Sequence, residues 1–397
     1  MPSTSTRSRL SSVVSDAPVA VKRFKHPTKT QALGSHLTAL ALELGEGARL
    51  PPINQLCAQM GVSLMTLNRA LSELEGKGVV IRKPGVGIFV APGAGQQTVG
   101  LLFKGDLNDS GRTAFWSPFW SLFVDAARFR AVEGHEQFRF YLSTPVAGNE
   151  SQDGGADLPA NLVEDVRATR LSGILLAGAL EDPSIEWLQR QEIPFVVFGG
   201  NYPVPRVELD QNALVHQSVA GLADAGCRRL ALWVPRGLGL RKAAPNAPSS
   251  VLSTFKGALA AHGLSFDASR VWGHADWTSE SWNETSFQEQ GQQAARAMFD
   301  SSGPDAPDGL VVVNDMMTRG ALVELGRLGV RVPDNVRIAS HANRHSWALH
   351  GYENDVMLFE FDARELVAAL FGRLERLMSG ESASDDVTLV PPHQRHD

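Results

Sequence analysis

The sequence predicts an α/β protein in two parts: a small helical head closed by a β-hairpin, and a larger body of two lobes built on parallel sheets. Three observations predict it. Leucines recur at helical spacing through residues 33 to 74 and then give way to two short apolar runs around a Pro-Gly turn. Beyond residue 98, apolar runs alternate with amphipathic stretches for almost the whole remaining chain. The 397 residues also exceed a single ordinary core, which favours two or three domains.

Residues 1–26 lack periodicity and are expected to form a flexible arm ending in "VKRFKHP". The opening is rich in Ser and Arg, which is also how an organelle transit peptide reads; a disordered arm is the expectation adopted. The head is assigned to residues 27–91. Leu33, Leu37, Leu40 and Leu44 mark a first helix, which "GEGARLPP" stops. Ile53, Leu56, Cys57 and Met60 mark a second, broken by Gly61. Ser63 can cap a third, along which Leu67, Ala70, Leu71 and Leu74 repeat the spacing. Gly76 and Gly78 end it, and "VVIRKPGVGIFVAP" reads as two strands around a tight turn. Three helices and a hairpin make a winged helix-turn-helix.

Residues 92–97, "PGAGQQ", read as a linker, and 98–397 as the body. Its strands are expected at 98–103, 138–142, 173–178, 194–199, 229–234, 309–313 and 336–340, with crossover helices such as 211–225 and 315–328. A body of about 300 residues with this many βα units exceeds what one open sheet usually holds, so two lobes with a cleft between them are expected. Open α/β sheets bind ligands beyond the carboxyl ends of their strands.

Composition narrows the function classes. No apolar run approaches the ~20 residues of a membrane-spanning helix, and no short apolar stretch marks export, so a cytoplasmic protein without membrane contact is expected. Cys57 and Cys227 are isolated, which excludes a disulfide framework and a cysteine-based zinc site and suggests that both lie in cores. His341, His345 and His350 sit where a strand ends in a loop, so their spacing does not align metal ligands, and no cofactor is expected. The net charge of −6 is uneven. Residues 1–91 hold 11 Lys and Arg against 5 Asp and Glu, leaving 26 against 38 for the rest. The head is the part suited to a polyanion.

Residues 50–90, "LPPINQLCAQMGVSLMTLNRALSELEGKGVVIRKPGVGIFV", resemble the DNA-binding domain of the GntR family of bacterial regulators. Residues 98 to about 375 resemble the effector domain of the LacI/GalR repressors, itself similar to periplasmic sugar-binding proteins. The resemblance is carried by "SPFWSLFVDAA", "IPFVVFGGN", "VELDQNALVHQSVAGLADAGCRRLALWVP", "PDGLVVVNDMMTRGALVELGRLGVRVPDNVRIAS" and, more weakly, "DWTSES". A GntR-type head on a LacI-type body is similar to the arrangement of the arabinose repressors of Gram-positive bacteria.

A recognition helix enters the major groove N-terminus first, which nominates Ser63, Leu64, Met65, Thr66, Asn68 and Arg69, with Asn54 beside them. The family usually has arginines where this chain has Asn54, Leu64 and Asn68, so A·T-leaning recognition with weak intrinsic affinity is expected. Arg49, Arg82 and Lys83, with Lys22, Arg23 and Lys25 of the arm, would contact phosphates, and Gly85 and Gly87 would let the wing tip approach the backbone. The alternative is that these are ordinary solvated charges.

In the body, the resemblance implies that the Asn314–Asp315 pair contacts an effector; the competing reading of Asp315 is an N-cap acid. Phe119 and Trp120, beside the nominated Ser117, and Trp277 match places where the family walls a ring with aromatics, and for a tryptophan a core role is the alternative. Gly199 and Thr254 replace the acid and arginine that usually anchor a sugar, and "SHAN", ending in Asn343, replaces the usual Gly-aromatic-Asp run. Asn201 completes the nominated effector residues.

The resulting expectation is a homodimeric, ligand-responsive transcriptional regulator that binds double-stranded operator DNA, a repressor of carbohydrate-utilisation genes with a sugar as effector. A non-sugar metabolite such as a nucleobase is the alternative ligand. A solute-binding protein is disfavoured by the basic head. An enzyme, such as a regulator fused to a pyridoxal-phosphate aminotransferase, is disfavoured because no Walker loop, G-x-S-x-G or zinc-protease spacing occurs.

Overall fold

The computed structural model describes residues 29–92, 94, 97–104, 118–134, 137–143, 158–178, 180, 182–199, 202–235, 250–273, 285–300, 305–383 and 386–395. The flexible-arm expectation for residues 1–26 lies outside them. The chain divides into two compact units, a head up to Ala94 and a body beyond it, with Gly76–Gly78 grouped with the body.

The head contains α1 (Lys29–Leu44), α2 (Ile53–Met60), α3 (Leu64–Gly76), β1 (Val80–Lys83) and β2 (Gly87–Val90). Leu33, Leu37, Ala41, Leu56, Leu67, Ala70, Leu71 and Leu74 close its core, and Val80, Ile88 and Val90 add the inner face of the wing. Each fully buried leucine contributes on the order of 2 kcal/mol. Leu44, expected on the buried stripe, is exposed, because it is the last helical residue and Ala41 completes the inner face. Gly61 takes φ +62, the left-handed conformation that ends α2 and turns the chain into α3. The wing also has a third member that the sequence reading did not predict. Ala48 and Leu50 pair with it through Val90 N–H to Ala48 O and Leu50 N–H to Ile88 O, both 2.8 Å, so "GEGARLPP" both stops α1 and edges the hairpin.

The body holds two six-stranded sheets. The first contains β3 (Thr98–Lys104), β4 (Gln137–Ser143), β5 (Gly173–Ala177), β6 (Phe195–Phe198), β7 (Arg206–Leu209) and β13 (Val387–Val390), in the order β13-β7-β6-β5-β3-β4, all parallel. Helices α4 (Pro118–Gly134) and α11 (Ala363–Met378) cover one face, and α5 (Ala160–Arg167) and α6 (Asp182–Arg190) the other.

The second sheet contains β8 (Leu230–Trp233), β9 (Val271–Trp272), β10 (Gly309–Val312), β11 (Arg337–Asn343), β12 (Val356–Phe361) and β14 (His393–Gln394), in the order β14-β12-β11-β10-β8-β9. It is parallel except for β14. Here α7 (Gln211–Asp224) and α8 (Val251–Ala261) cover one face, and α9 (Phe287–Phe299) and α10 (Asp315–Arg327) the other. The chain crosses between lobes after Leu209, after Phe361 and after Val390. Asp210 N–H donates to Val390 O at 2.8 Å, tying the first crossing to the third.

Five strands, β7, β9, β12, β13 and β14, were not expected from sequence. The run expected at 336–340 continues to Asn343, and β12 rather than this run lies beside the antiparallel end of the sheet. Cys227 is buried as expected, but Cys57 is only half-buried.

Candidate nucleic-acid interface and effector site

On the head, α3 separates two environments. Leu67, Ala70 and Leu71 are fully buried, whereas Leu64 and Met65 in its first turn are 54% and 83% exposed. Ser63 Oγ accepts from Thr66 N–H at 3.2 Å and meets Thr66 Oγ1 at 2.8 Å, fixing the start of the helix. Asn54 is exposed on α2 and Asn68 half-buried on α3. Arg69 is exposed and lies 3.6 Å from Glu73, one turn on. Leu64 and Met65 therefore present two adjacent large apolar side chains to water at the helix N-terminus.

The wing carries the cationic candidates. Arg49 is exposed and packs across Gly87, where an added Cβ would lie 2.7 Å from Arg49 Nε. Gly87 and Gly85, with φ +145 and +71, take backbone conformations that favour glycine, whereas the exposed Arg49 side chain over Gly87 is free to swing aside. Lys83 Nζ stands 5.0 Å over the Phe89 ring. Arg82, nominated for a phosphate contact, is engaged within the head: its Nε meets Glu75 Oε2 at 2.8 Å, and its NH2 donates to Ser72 Oγ at 2.5 Å. Burial pushes the Glu75 pKa up, but the side-chain hydrogen bond, backbone N–H and charge of Arg82 together outweigh this and leave it below its ordinary value. Lys22, Arg23 and Lys25 lie outside the described residues.

In the body, the carboxyl ends of β10 and β11 bring Asn314, Asp315, His341 and Asn343 together. Asn314, in extended conformation, caps α10 by accepting from Met317 N–H at 2.9 Å. The cap is thus Asn314 and not Asp315, correcting the N-cap reading of the acid. Asp315 is the first helical residue, only 1% exposed. Its Oδ1 accepts from Met316 N–H and its Oδ2 from Asn343 Nδ2, each at 2.8 Å. Asn343 Oδ1 meets His341 Nε2 at 3.2 Å, and the His341 ring lies over Phe361 with centroids 4.9 Å apart. Burial pulls the His341 pKa below its ordinary value, against opposing effects of the Asp315 charge and the Asn343 hydrogen bond.

Of the other nominated residues, Phe119 and Trp120 pack on Phe198, next to Gly199. Thr254 Oγ1 donates to Asn212 Oδ1 at 2.8 Å, linking α8 to α7. Phe119 and Trp120 open α4 inside a half-buried aromatic cluster: Trp120 lies edge-on to Phe103 at 5.5 Å, and Phe119 lies 5.5 Å from Phe198. Gly199 follows β6 with φ +78. Ser117, Asn201 and Trp277 lie outside the described residues. Sequence reasoning considered His341 only as a metal ligand. The signal it passed over was the His-x-Asn spacing: on a strand, positions 341 and 343 share a face. Among the described residues no group of three or more metal-ligating side chains occurs.

Comparison with known proteins gives the two units different relatives. Residues 37–90 match the family "Bacterial regulatory proteins, gntR family", and residues 219–396 match the "Periplasmic binding protein-like domain". The histidine utilization repressors of Pseudomonas aeruginosa and Klebsiella aerogenes are 47% and 49% identical to the chain, each over 51 residues, which is 13% of it. The chain thus spans only about a fifth of the length of these curated relatives, 20% and 21%. The arabinose metabolism transcriptional repressor of Halalkalibacterium halodurans is 24% identical over 298 residues, 72% of both chains. Among solved structures, the transcriptional regulator CelR in complex with cellobiose aligns with a TM-score of 0.57 at 20% identity, covering 87% of this chain and 99% of that one. A LacI-family regulatory protein from Chloroflexus aggregans aligns with a TM-score of 0.57 at 16% identity, covering 74% and 96%. The structural likenesses establish the fold, and the two family matches establish the kinds of domain present.

Proposed function

We propose that this chain, a gntR-family head followed by a periplasmic-binding-protein-like body, is a homodimeric repressor of carbohydrate-utilisation genes whose operator affinity responds to a small molecule held by the body. The observation that carries the DNA-binding half is the two-sided α3, with Leu64, Met65 and Arg69 in water and Leu67, Ala70 and Leu71 in the core. Arg69 and the side chains from Ser63 to Asn68 would read bases, and Arg49 and Lys83 would hold phosphates. Two heads are needed because two-fold operators offer paired half-sites and a single head this sparse in arginine would bind weakly.

The sensing half rests on Asp315. Two of its roughly four acceptor sites are taken by Met316 and Asn343, and the remainder would accept hydrogen bonds from ligand hydroxyls. Three chain crossings join the lobes, so a ligand that binds the closed form more tightly shifts the equilibrium toward closure. The arabinose and cellobiose in the names of the relatives support a sugar. Gly199 and Thr254, neutral where sugar-binding relatives place charged anchors, favour a nucleobase as the second reading.

The test is a thermal-shift series on the full chain with L-arabinose, cellobiose and free nucleobases. A ligand at 100 times its Kd stabilises the fold by ~2.7 kcal/mol. Asp315→Asn should remove the response to the active compound while operator affinity without ligand persists. A response unchanged in Asp315→Asn would remove the acid from the effector site.

A further inference from the structure

His341, Asn343 and Asp315 form a chain of three buried polar side chains in which each hydrogen bond dictates the next. An ionised carboxylate only accepts, so the Asn343 group facing Asp315 Oδ2 at 2.8 Å is its amide nitrogen. This turns Asn343 Oδ1 toward His341 Nε2 at 3.2 Å. An amide oxygen also only accepts, so Nε2 carries the proton, and the neutral ring's Nδ1 is left as an acceptor. Nδ1 is buried and has no hydrogen-bond partner among the described residues, so a second proton there would have nothing to bond. Asp315 is the charged group that acts on this ring, and Phe361 of β12 backs it. The ring is therefore held in one tautomer by its surroundings.

We propose that His341 is a positioning residue of the effector site: its Nε2–H fixes the Asn343 amide, which in turn holds Asp315 as an acceptor and selects ligands that offer hydroxyl or amine donors. This rests on the reading of Asp315 as the effector contact, and it assigns a role to a residue that replaces the aromatic found at this place in the resembling family. A packing role alone would be served equally by any flat apolar ring. The proposed role requires a donor at Nε2.

The test uses the full chain and two variants. His341→Gln keeps a donor in reach of Asn343 Oδ1, whereas His341→Phe keeps a ring against Phe361 and removes the donor. In histidine-selective ¹⁵N spectra at pH 7, the signal that both variants lose should show a protonated Nε2 and a bare Nδ1. A protonated Nδ1, in either the other tautomer or the imidazolium, overturns the proposal. In titrations with L-arabinose and cellobiose, any binding seen in the wild type should weaken at least tenfold in His341→Phe and less than threefold in His341→Gln. Equal affinities in all three overturn it. If neither sugar binds, the carbohydrate reading fails and the titrations are made with free nucleobases, where the same tenfold and threefold pattern supports the positioning role and equal affinities, or no binding at all, overturn it.

Discussion

Arg82 reaches from the first wing strand to Glu75 in the last turn of α3, with Nε and Oε2 2.8 Å apart and the Arg82 backbone N–H also donating to Glu75 Oε1 at 3.1 Å. A third bond, to Ser72, makes this guanidinium a brace between wing and helix. The wing therefore has two kinds of cation: Arg82 is engaged within the head, while Lys83 lies over Phe89 on the exposed side.

The two should respond differently to removal. Lys83→Ala is expected to weaken DNA binding uniformly across sequences and to lower the salt slope by about 0.9. Arg82→Ala is expected to leave most of that slope in place and cost the head up to ~1 kcal/mol, since the pair is about a third exposed. Affinity measured at several salt concentrations, with thermal unfolding beside it, separates them. Equal loss of slope in both variants would show that Arg82 leaves Glu75 to meet phosphate.

Helices α9 and α10 touch backbone to backbone. A Cβ on Gly320 would lie 1.9 Å from Gln288 O, and one on Gly291 2.0 Å from Met317 O. The Gly291 contact falls on Met317, in the first turn of α10, which begins at Asp315. Gly320→Ala should therefore cost about 1–3 kcal/mol or more and weaken effector binding together with stability. A Gly320→Ala chain of wild-type Tm would contradict this contact.

The imidazole of His341 makes stability depend on pH. In the unfolded chain it takes up a proton near pH 6.5, and in the fold only at lower pH, because burial depresses its pKa. Acidification through ~6.5 therefore favours the unfolded chain, by at most ~1.4 kcal/mol per pH unit, until the folded ring itself protonates. Urea midpoints at pH 7.5 and 5.5 should fall further apart in the wild type than in His341→Gln. Identical differences would place the pH response elsewhere.

Much of this fold was legible because its periodicities are long and clean. The α3 stripe at Leu67, Ala70, Leu71 and Leu74 and the apolar runs of β3, β5, β8 and β10 leave little choice of element. The missed strands are short or mixed in polarity. "RVEL" of β7 alternates only partly, β9 and β14 are two residues each, and β13 and β14 owe their pairing to chain crossings rather than to local pattern. Site chemistry was legible by residue type at Asp315 and Asn343. Partnership was harder to read: that Asn314 and not Asp315 is the cap turns on a one-residue shift in the helix start, the Thr254–Asn212 bond joins residues 42 apart, and the facing of His341 and Asn343 was signalled only by their His-x-Asn spacing.

Whether the exposed start of α3 reads DNA under control of the body is decided by fluorescence anisotropy of the full chain on duplex from upstream of its own gene. The measurement compares wild type, Arg69→Ala and Met65→Ala, with and without the compound found active in the thermal-shift series. Binding should be preferred over random duplex, weakened by about 1–3 kcal/mol in Arg69→Ala and less in Met65→Ala, and changed by the compound in all three proteins alike. Wild-type affinity in both variants, or no preference over random duplex, would contradict this reading.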